Sequence, residues 1–395
     1  YKRQALHDRI GRLAADGQVE LLSAGWYEPV LAALSPADRA VHLDWSREEL
    51  ERRFGVSPKG LWLTERVWEP ELPADLASAG IEYALIDDHL ARRGGVADKD
   101  LDLPLRAEWE GRELDLLAID ETLRYLVPFR PARELEMELR DRHERGARIA
   151  MLGDDGEKFG GWPRTKEWLY EGGWLESFGD VMDELRSEEV VRWVTPNEAR
   201  SGLGRVGPVR LPAGSYPEMD EWAPGGLWKG FMDRYEESAR IHARVAALSE
   251  LSRERGDPEA VRRAIARAQC NDAYWHGVFG GLYMKHLREG VRAQATIAER
   301  LLRAGESLAW SPLPNGAHGG PGWWAHGSAV SAFVDRRFGG TVSELLWLTT
   351  GVDPADVLTR RREAYHHEAV RRPSAGPSAG DPADLTDAPS IHDIE

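Results

Sequence analysis

Two short motifs, each ending on carboxylates at the tip of a predicted strand, contain the residues best suited to chemistry. Residues 60–70 contain Glu65, and residues 151–160 contain Asp155 and Glu157. Two carboxyl groups held about 5–5.5 Å apart can cleave an acetal with retention, one as nucleophile and the other as acid and then base. The motifs therefore predict acetal chemistry, provided that the fold brings them together.

Short apolar runs closed by polar and turn residues recur along the first half of the chain. They alternate with amphipathic segments such as 46–53 and 134–145, a pattern that predicts strand, acidic loop and helix in turn. A (β/α) barrel carries its catalytic groups on the loops that follow its strands. We therefore predict an α/β fold with an incomplete (β/α) barrel that positions Glu65 and Asp155. The predicted strands are 19–23, 60–63, 81–86, 148–152 and 190–194.

A predicted hairpin interrupts this repeat between its third and fourth strands. Residues 105–109 and 113–119 are strand-like and flank Glu110-Gly111-Arg112, which is typical of a tight turn. Five repeats are too few to close a barrel. Because the chain starts without Met, in a helical pattern over 1–15, we expect the first strands to precede Tyr1.

The organisation changes after the barrel, and we predict three domains. The barrel occupies 1–215, a helical region that completes the active site occupies 216–306, and a β-sandwich begins within 307–395. Residues 371–389 are dense in Pro, Ala, Ser, Gly and Asp and indicate a linker that cannot bury a core.

Within the later domains, two local patterns predict specific elements. Asp257 followed by Pro258 predicts a helix with Asp257 as N-cap, and we extend that helix through 268–276. Apolar runs at 329–334 and 341–348 predict the first strands of the sandwich.

Composition restricts the class of partner. The net charge of −16 repels phosphate backbones and anionic lipids, which argues against nucleic-acid and membrane partners, and no window approaches the ~18 apolar residues of a membrane span. Cys270 is the sole cysteine of the chain, so no intramolecular disulfide forms and a cytoplasmic location is predicted. A neutral substrate fits these properties, and a homodimer is a candidate assembly.

Tryptophan is unusually abundant, with 16 residues against 8 Phe. Flat aromatic faces pack against the C–H faces of sugars, and the indole N–H can donate to a hydroxyl. Core packing explains any single Trp equally well, but as a set they favour a carbohydrate ligand. Those beside the predicted site are Trp26, Trp68, Trp162, Trp222 and Trp275.

Other interpretations of these motifs carry less weight. Residues 202–207 match a dinucleotide-binding fingerprint but do not open a helix after a strand. Residues 154–157 lack the alternating oxygen ligands of a calcium loop. An isolated Glu65 would be explained by helix capping. We predict neither a metal nor a cofactor.

Four motifs of this chain resemble, in order, the second to fifth of the five signature regions of glycoside hydrolase family 57, most closely those of its 4-α-glucanotransferases. They span residue 17 to residue 281, and the family's first region, a His-Gln-Pro motif, would precede Tyr1. The motifs lie at 17–29, 62–68, 154–160 and 269–281.

By that resemblance the expected fold is a seven-unit (β/α) barrel, a helical region and a C-terminal β-sandwich. The resemblance implies that Glu65 is the nucleophile and Asp155 the general acid/base. It places substrate contacts at Glu20, Trp62, Glu157, Asp272, Trp275 and His276, and the aromatic residues Trp68, Trp162 and Trp222 are suited to hold an acceptor.

The implied activity is that of a retaining 4-α-glucanotransferase that exchanges segments of α-1,4-glucan. Two alternatives stay open. One is a hydrolase of the same fold, an α-amylase or amylopullulanase, or a branching enzyme. The other is a glucan-binding protein that keeps the barrel without the chemistry.

Overall fold

A computed structural model describes residues 2–277, 279–313, 322–363 and 365, so the predicted linker at 371–389 lies outside the described residues. The described chain divides into two compact units. The first comprises residues 2–24 and 44–216, and the second comprises residues 25–43 and the described residues from 217 onward.

The first unit combines one sheet with the helices of the chain's first half. Helix α2 begins in the second unit and continues past residue 44. The helices are α1 (Lys2–Ala15), α2 (Pro36–Phe54), α3 (Leu72–Ser78), α4 (Asp88–Arg93), α5 (Glu121–Leu126), α6 (Ala132–Glu144), α7 (Trp174–Ser187) and α8 (Pro196–Gly202). The strands are β1 (Gly60–Trp62), β2 (Tyr83–Asp87), β3 (Leu105–Trp109), β4 (Arg112–Ile119) and β5 (Val206–Val209).

The sheet has the order β1-β2-β4-β3-β5, with β1, β2 and β4 parallel. Strands β3 and β4 pair antiparallel around a turn at 110–111, which confirms the predicted hairpin. Because parallel strands end at the same edge of a sheet, the residues that follow β1, β2 and β4 are close in space. Glu65, Asp88 and Asp120 come from these three connections.

The prediction of a strand is wrong for three of the five barrel segments. Segments 148–152 and 190–194 form no strand, and 19–23 contributes only an isolated parallel bridge from Ser23 to Leu61. The hairpin explains the first case: β4 already has β2 on one edge and β3 on the other. Segment 148–152 therefore adds one bond beyond the end of β4, from the Asp120 N–H to the Met151 carbonyl, at 2.9 Å.

Two apolar clusters support the site region of this unit. Side chains of β2 and β4, including Tyr83, Leu85 and Ile119, pack with the partly buried Trp62 and Met151. Burying one such aliphatic side chain stabilises the fold by about 1.5–3 kcal/mol. A second cluster joins α5, α6 and α7 through the buried side chains Leu123, Val127, Leu135, Leu139, Leu169, Trp174, Met182 and Leu185, with Phe159 packed against them.

The second unit combines helices with an antiparallel sheet of order β6-β7-β8-β9. Strands β8 and β9 confirm the predicted runs, whereas β6 and β7 were not among the predicted strands. The helices are α9 (Pro217–Trp222), α10 (Lys229–Arg234), α11 (Glu236–Glu254), α12 (Glu259–Ala268) and α13 (Lys285–Leu302). The strands are β6 (Ala309–Leu313), β7 (Gly322–His326), β8 (Val330–Asp335) and β9 (Thr341–Trp347).

Helix α12 differs from its prediction at both ends. Pro258 is its N-cap, and Asp257 has a positive φ of 50°, so the predicted capping by Asp257 is wrong. The helix ends at Ala268, and the following residues run through a loop and a short 3-10 turn at Asn271–Ala273. Residues 269–277 of the motif at 269–281 therefore form a loop, in which Asn271 and Trp275 make tertiary or side-chain contacts.

None of the helices in the described part of the chain is long and apolar enough to cross a membrane.

Candidate active site

Glu65 lies three residues beyond the end of β1, in a strained turn. Glu65 and Arg66 have positive φ angles of 52° and 48°, a conformation that costs on the order of 1–3 kcal/mol per non-glycine residue and concentrates at functional sites. The turn is held by the Ser215 hydroxyl, which donates to the Glu65 carbonyl. Strain maintained by neighbouring groups is consistent with a side chain placed for function.

The Glu65 carboxylate is held by a tyrosine from a distant loop. The Tyr216 hydroxyl donates to Glu65 Oε2 at 2.8 Å, and the Arg66 guanidinium lies 4.2 Å from the centroid of the Tyr216 ring. Tyr216 is 6% exposed, so its orientation is fixed by packing. The sequence analysis missed Tyr216, because a residue in a turn-rich loop carries no periodic or spacing signal.

We expect Tyr216→Phe to lower kcat roughly tenfold or more with little change in KM, because a hydrogen bond to a charged group contributes about 1.5–3 kcal/mol. Steady-state kinetics on a maltooligosaccharide would measure this change. Tyr170→Phe is the matched control, because the exposed Tyr170 donates to the Phe159 carbonyl, at 3.1 Å, and that acceptor has no role in the proposed chemistry. Equal kcat values for Tyr216→Phe and the wild type would contradict a role for this hydroxyl.

Asp154 and Asp155 occupy different environments in the loop before Lys158. Asp154 accepts from the Asp155 backbone N–H at 2.9 Å and forms a buried ion pair with Lys158. Burial lowers the pKa of the Lys158 ammonium, and the Asp154 carboxylate opposes that shift. Asp154 is thus a structural carboxylate, while Asp155 is half-buried and no hydrogen bond to its carboxyl occurs among the described residues.

A chain of buried charges connects the two motifs. Asp87, at the end of β2, is fully buried and lies 3.4 Å from Arg66 Nε and 3.3 Å from Arg124 Nη1. Arg124 Nε in turn lies 3.8 Å from Asp154 Oδ1. Burial raises the pKa of the Asp87 carboxyl to about 6, although both guanidiniums pull it down. The Glu65 turn and the Asp155 loop therefore share one ionic support.

The other predicted residues of the first unit differ in exposure. Glu20 accepts from the Tyr83 hydroxyl and the Asn197 N–H, both at 2.8 Å, and Tyr83 begins β2, at the opposite end from Glu65. Trp62 is partly buried, and the Arg66 guanidinium carbon lies 5.9 Å from the centroid of the Trp62 ring. Glu157 is exposed. Trp68 is 1% exposed, so in this structure its ring is part of the core.

Trp162 is the exposed aromatic residue of the Asp155 motif region. Its side chain is 39% exposed and stacks on Phe129, with ring centroids 6.0 Å apart and planes inclined by 24°. The Lys158 ammonium lies 5.4 Å from the Trp162 ring centroid. The stacked Trp162 and Phe129 rings therefore lie beside Lys158, which belongs to the same loop as Asp155.

The remaining predicted residues lie in the second unit, and two of them, Trp222 and Trp275, are in contact. Trp222 stacks on Trp275, with centroids 6.3 Å apart, and Trp275 Nε1 donates to Asn271 Oδ1 at 2.7 Å. Asp272 is partly exposed in the same loop. Trp275 is 3% exposed, so the partly exposed Trp222 is the member of this stack that solvent reaches.

His276 is fully buried among tyrosines of the second unit. Its Nε2 lies 2.6 Å from the Tyr235 hydroxyl and its Nδ1 lies 2.9 Å from the Tyr365 hydroxyl. The Tyr235 hydroxyl also donates to Glu363 at 2.7 Å. In this arrangement both ring nitrogens are engaged within the protein, so direct contact of His276 with a substrate stays a prediction.

The described residues contain no group of three or more His, Cys, Asp or Glu side chains arranged to hold a metal ion.

Comparison with known proteins relates this geometry to one family. Residues 2–213 match the profile of glycosyl hydrolase family 57, and residues 226–302 match that of the α-amylase/4-α-glucanotransferase middle domain. Among similar sequences are a 4-α-glucanotransferase of Thermococcus litoralis, 38% identical, and an α-amylase of Pyrococcus abyssi, 37% identical, each over 91% of this chain. They are covered over 57% and 58% of their own length.

Solved structures show the same relation. The crystal structure of the 4-α-glucanotransferase of Thermococcus litoralis superimposes with a TM-score of 0.83 at 36% identity, over 92% of this chain and 61% of that one. A branching enzyme of Pyrococcus horikoshii, at 17% identity and a TM-score of 0.52 over 75% of this chain and 66% of that one, supports the fold alone. The chain spans less than two thirds of the length of these relatives, and it belongs to glycosyl hydrolase family 57.

Proposed function

We propose that the protein is a retaining α-glucan-acting enzyme, a 4-α-glucanotransferase that uses Glu65 as nucleophile and Asp155 as general acid/base. The observation that carries the proposal is the Glu65 carboxylate, held by Tyr216 in a strained turn and joined by buried charges to the loop of Asp155. The name and the high structural similarity of the Thermococcus litoralis relative support the substrate class.

The proposed reaction has two steps. Protonated Asp155 donates to the glycosidic oxygen while Glu65 attacks the anomeric carbon, which releases the leaving chain and forms a covalent β-glucosyl enzyme. Asp155, now ionised, then removes a proton from the acceptor hydroxyl as that oxygen displaces Glu65. Both steps invert the anomeric centre, so the overall reaction retains the α configuration.

The identity of the acceptor decides between transfer and hydrolysis. Water competes at every turnover, so transfer requires a glucan hydroxyl held at a high effective molarity. The exposed Trp162 beside Lys158 and the partly exposed Trp222, which stacks on the buried Trp275, are side chains on which a sugar ring can pack. These side chains support transfer as the main reaction.

An α-amylase is the second candidate, because relatives at 37% identity carry that name. A non-catalytic glucan-binding protein is the third, and the presence of both Glu65 and Asp155 disfavours it.

The proposal also includes a division of the chain into three domains, at 1–215, 216–306 and 307–395. It further includes a cytoplasmic location and a homodimer.

Incubation of the full-length protein with maltotriose tests the proposal. Products would be separated by chromatography and reducing ends assayed over time, with a Glu65→Gln sample to measure background. A ladder of longer maltooligosaccharides plus glucose, with constant reducing ends, is expected for a transferase. Rising reducing ends without a ladder would show a hydrolase, and unchanged maltotriose with bound glucan would show a binding protein.

A further inference from the structure

We propose that Arg124, which lies outside the four family motifs, is a positioning residue that fixes the Asp155 loop relative to the Glu65 turn. The inference rests on the proposed function, since it concerns the spacing of the two reacting carboxyl groups.

Arg124 contacts the supports of both carboxylates. Its guanidinium lies 3.3 Å from Asp87, the ionic partner of Arg66, and 3.8 Å from Asp154, which binds the backbone N–H of Asp155. The guanidinium also lies 5.9 Å from the centroid of the Tyr216 ring, whose hydroxyl donates to Glu65. A single buried side chain therefore lies near one support of the Glu65 turn, one support of the Asp155 loop and the tyrosine that binds Glu65.

The helix that carries Arg124 is itself held firmly. Helix α5 begins at an N-cap in which Asp120 accepts from the Leu123 N–H at 3.0 Å, and Asp120 is also paired with Arg142 of α6. Leu123 belongs to the buried cluster of α5, α6 and α7. Arg124 is 5% exposed, so its side chain is buried and projects from a helix whose position is fixed by these contacts.

Arginine has properties at this point that lysine lacks. The arginine guanidinium is planar, carries five N–H donors in fixed directions and stays charged when buried. The lysine ammonium is compact and has three donors, so it cannot hold several partners in fixed directions. Without Arg124, Asp87 would keep Arg66 as its partner and Asp154 would keep Lys158, but no buried cation would join the two carboxylates. A lysine at position 124 would keep the charge but would lose the simultaneous reach to Asp87 and Asp154.

This geometry matters because a retaining mechanism tolerates little change in the separation of its carboxyl groups. A displacement of about 1 Å in a reacting group can lower the rate roughly 10²-fold. Loss of the Arg124 fork should therefore reduce kcat more than it reduces glucan binding.

The test compares Arg124→Lys and Arg124→Met with Arg244→Lys in the full-length protein. Arg244 is a matched control, because it is also 5% exposed and lies between two carboxylates, Glu299 and Glu344, which have no part in the proposed reaction. We expect Arg124→Met to lower kcat roughly 10²-fold with KM changed less than about threefold. Arg124→Lys should restore part of that loss, and Arg244→Lys should leave kcat unchanged at a temperature where all variants are folded.

The outcomes separate the inference from the function on which it rests. Equal kcat values for folded Arg124→Met, Arg124→Lys and wild type would overturn the inference and leave the proposed function standing. A change in KM alone would also overturn it. Wild-type protein that converts no glucan would overturn the proposed function, and the inference with it. If Arg124→Met fails to fold, the comparison of Arg124→Lys with Arg244→Lys decides.

Discussion

Replacing Glu65 by Gln is expected to abolish both transfer and hydrolysis, lowering kcat on the order of 10⁴-fold or more because no covalent intermediate forms without the nucleophile. Glutamine keeps the shape of the side chain and its contact with the Tyr216 hydroxyl. The loss should therefore be chemical and leave the fold intact. Turnover of maltotriose and the thermal unfolding midpoint would be measured together.

The outcome can be made specific with an activated substrate. In Glu65→Ala, azide can enter from the face that the carboxylate occupied and displace fluoride from an α-glucosyl fluoride, giving a β-glucosyl azide. Glu69→Gln, in the same motif but without an assigned role, is the control and should retain wild-type turnover. Full turnover in a Glu65→Gln variant would contradict the assignment of Glu65 as the nucleophile.

The candidate reacting carboxylates could be proposed from the sequence, whereas the residues that support them could not. Glu65 and Asp155 lie in long motifs that each follow a predicted strand, so their residue types and spacing could be recognised, although the segment before Asp155 forms no strand. Tyr216, Asp87 and Arg124 come from a loop, a strand end and a short helix, and only tertiary packing brings them to the site. No periodicity in the sequence reports such convergence.

The same reasoning applies to the fold. The hairpin at 105–119 was predictable because turn chemistry and alternating runs are local properties. Segment 148–152 has the composition of a strand, but strand formation depends on a free neighbouring edge, and β3 occupies the edge of β4. The loop at 269–277 was predicted as helix from its neighbours, whereas its conformation is fixed by contacts such as that of Trp275 with Asn271.

Asp155→Asn is expected to lower kcat by roughly 10²–10⁴-fold on maltooligosaccharides, the range that a general acid/base contributes. A substrate whose leaving group needs no protonation, such as an α-glucosyl fluoride, should still form the covalent intermediate. Deglycosylation then becomes limiting because the acceptor is no longer deprotonated. Rapid-quench measurements should therefore show a burst of fluoride followed by a slow steady state.

Azide should restore the steady-state rate of Asp155→Asn, because this anion needs no base. Attack on the β-glucosyl enzyme gives an α-glucosyl azide, the opposite anomer from that expected for Glu65→Ala, so the two variants identify their residues by product stereochemistry. Asp154→Asn is the neighbouring control: loss of its buried pair with Lys158 should lower the unfolding midpoint without azide rescue. Rescue in Asp154→Asn but not in Asp155→Asn would reverse the two assignments, because the rescued variant is the one that has lost the base.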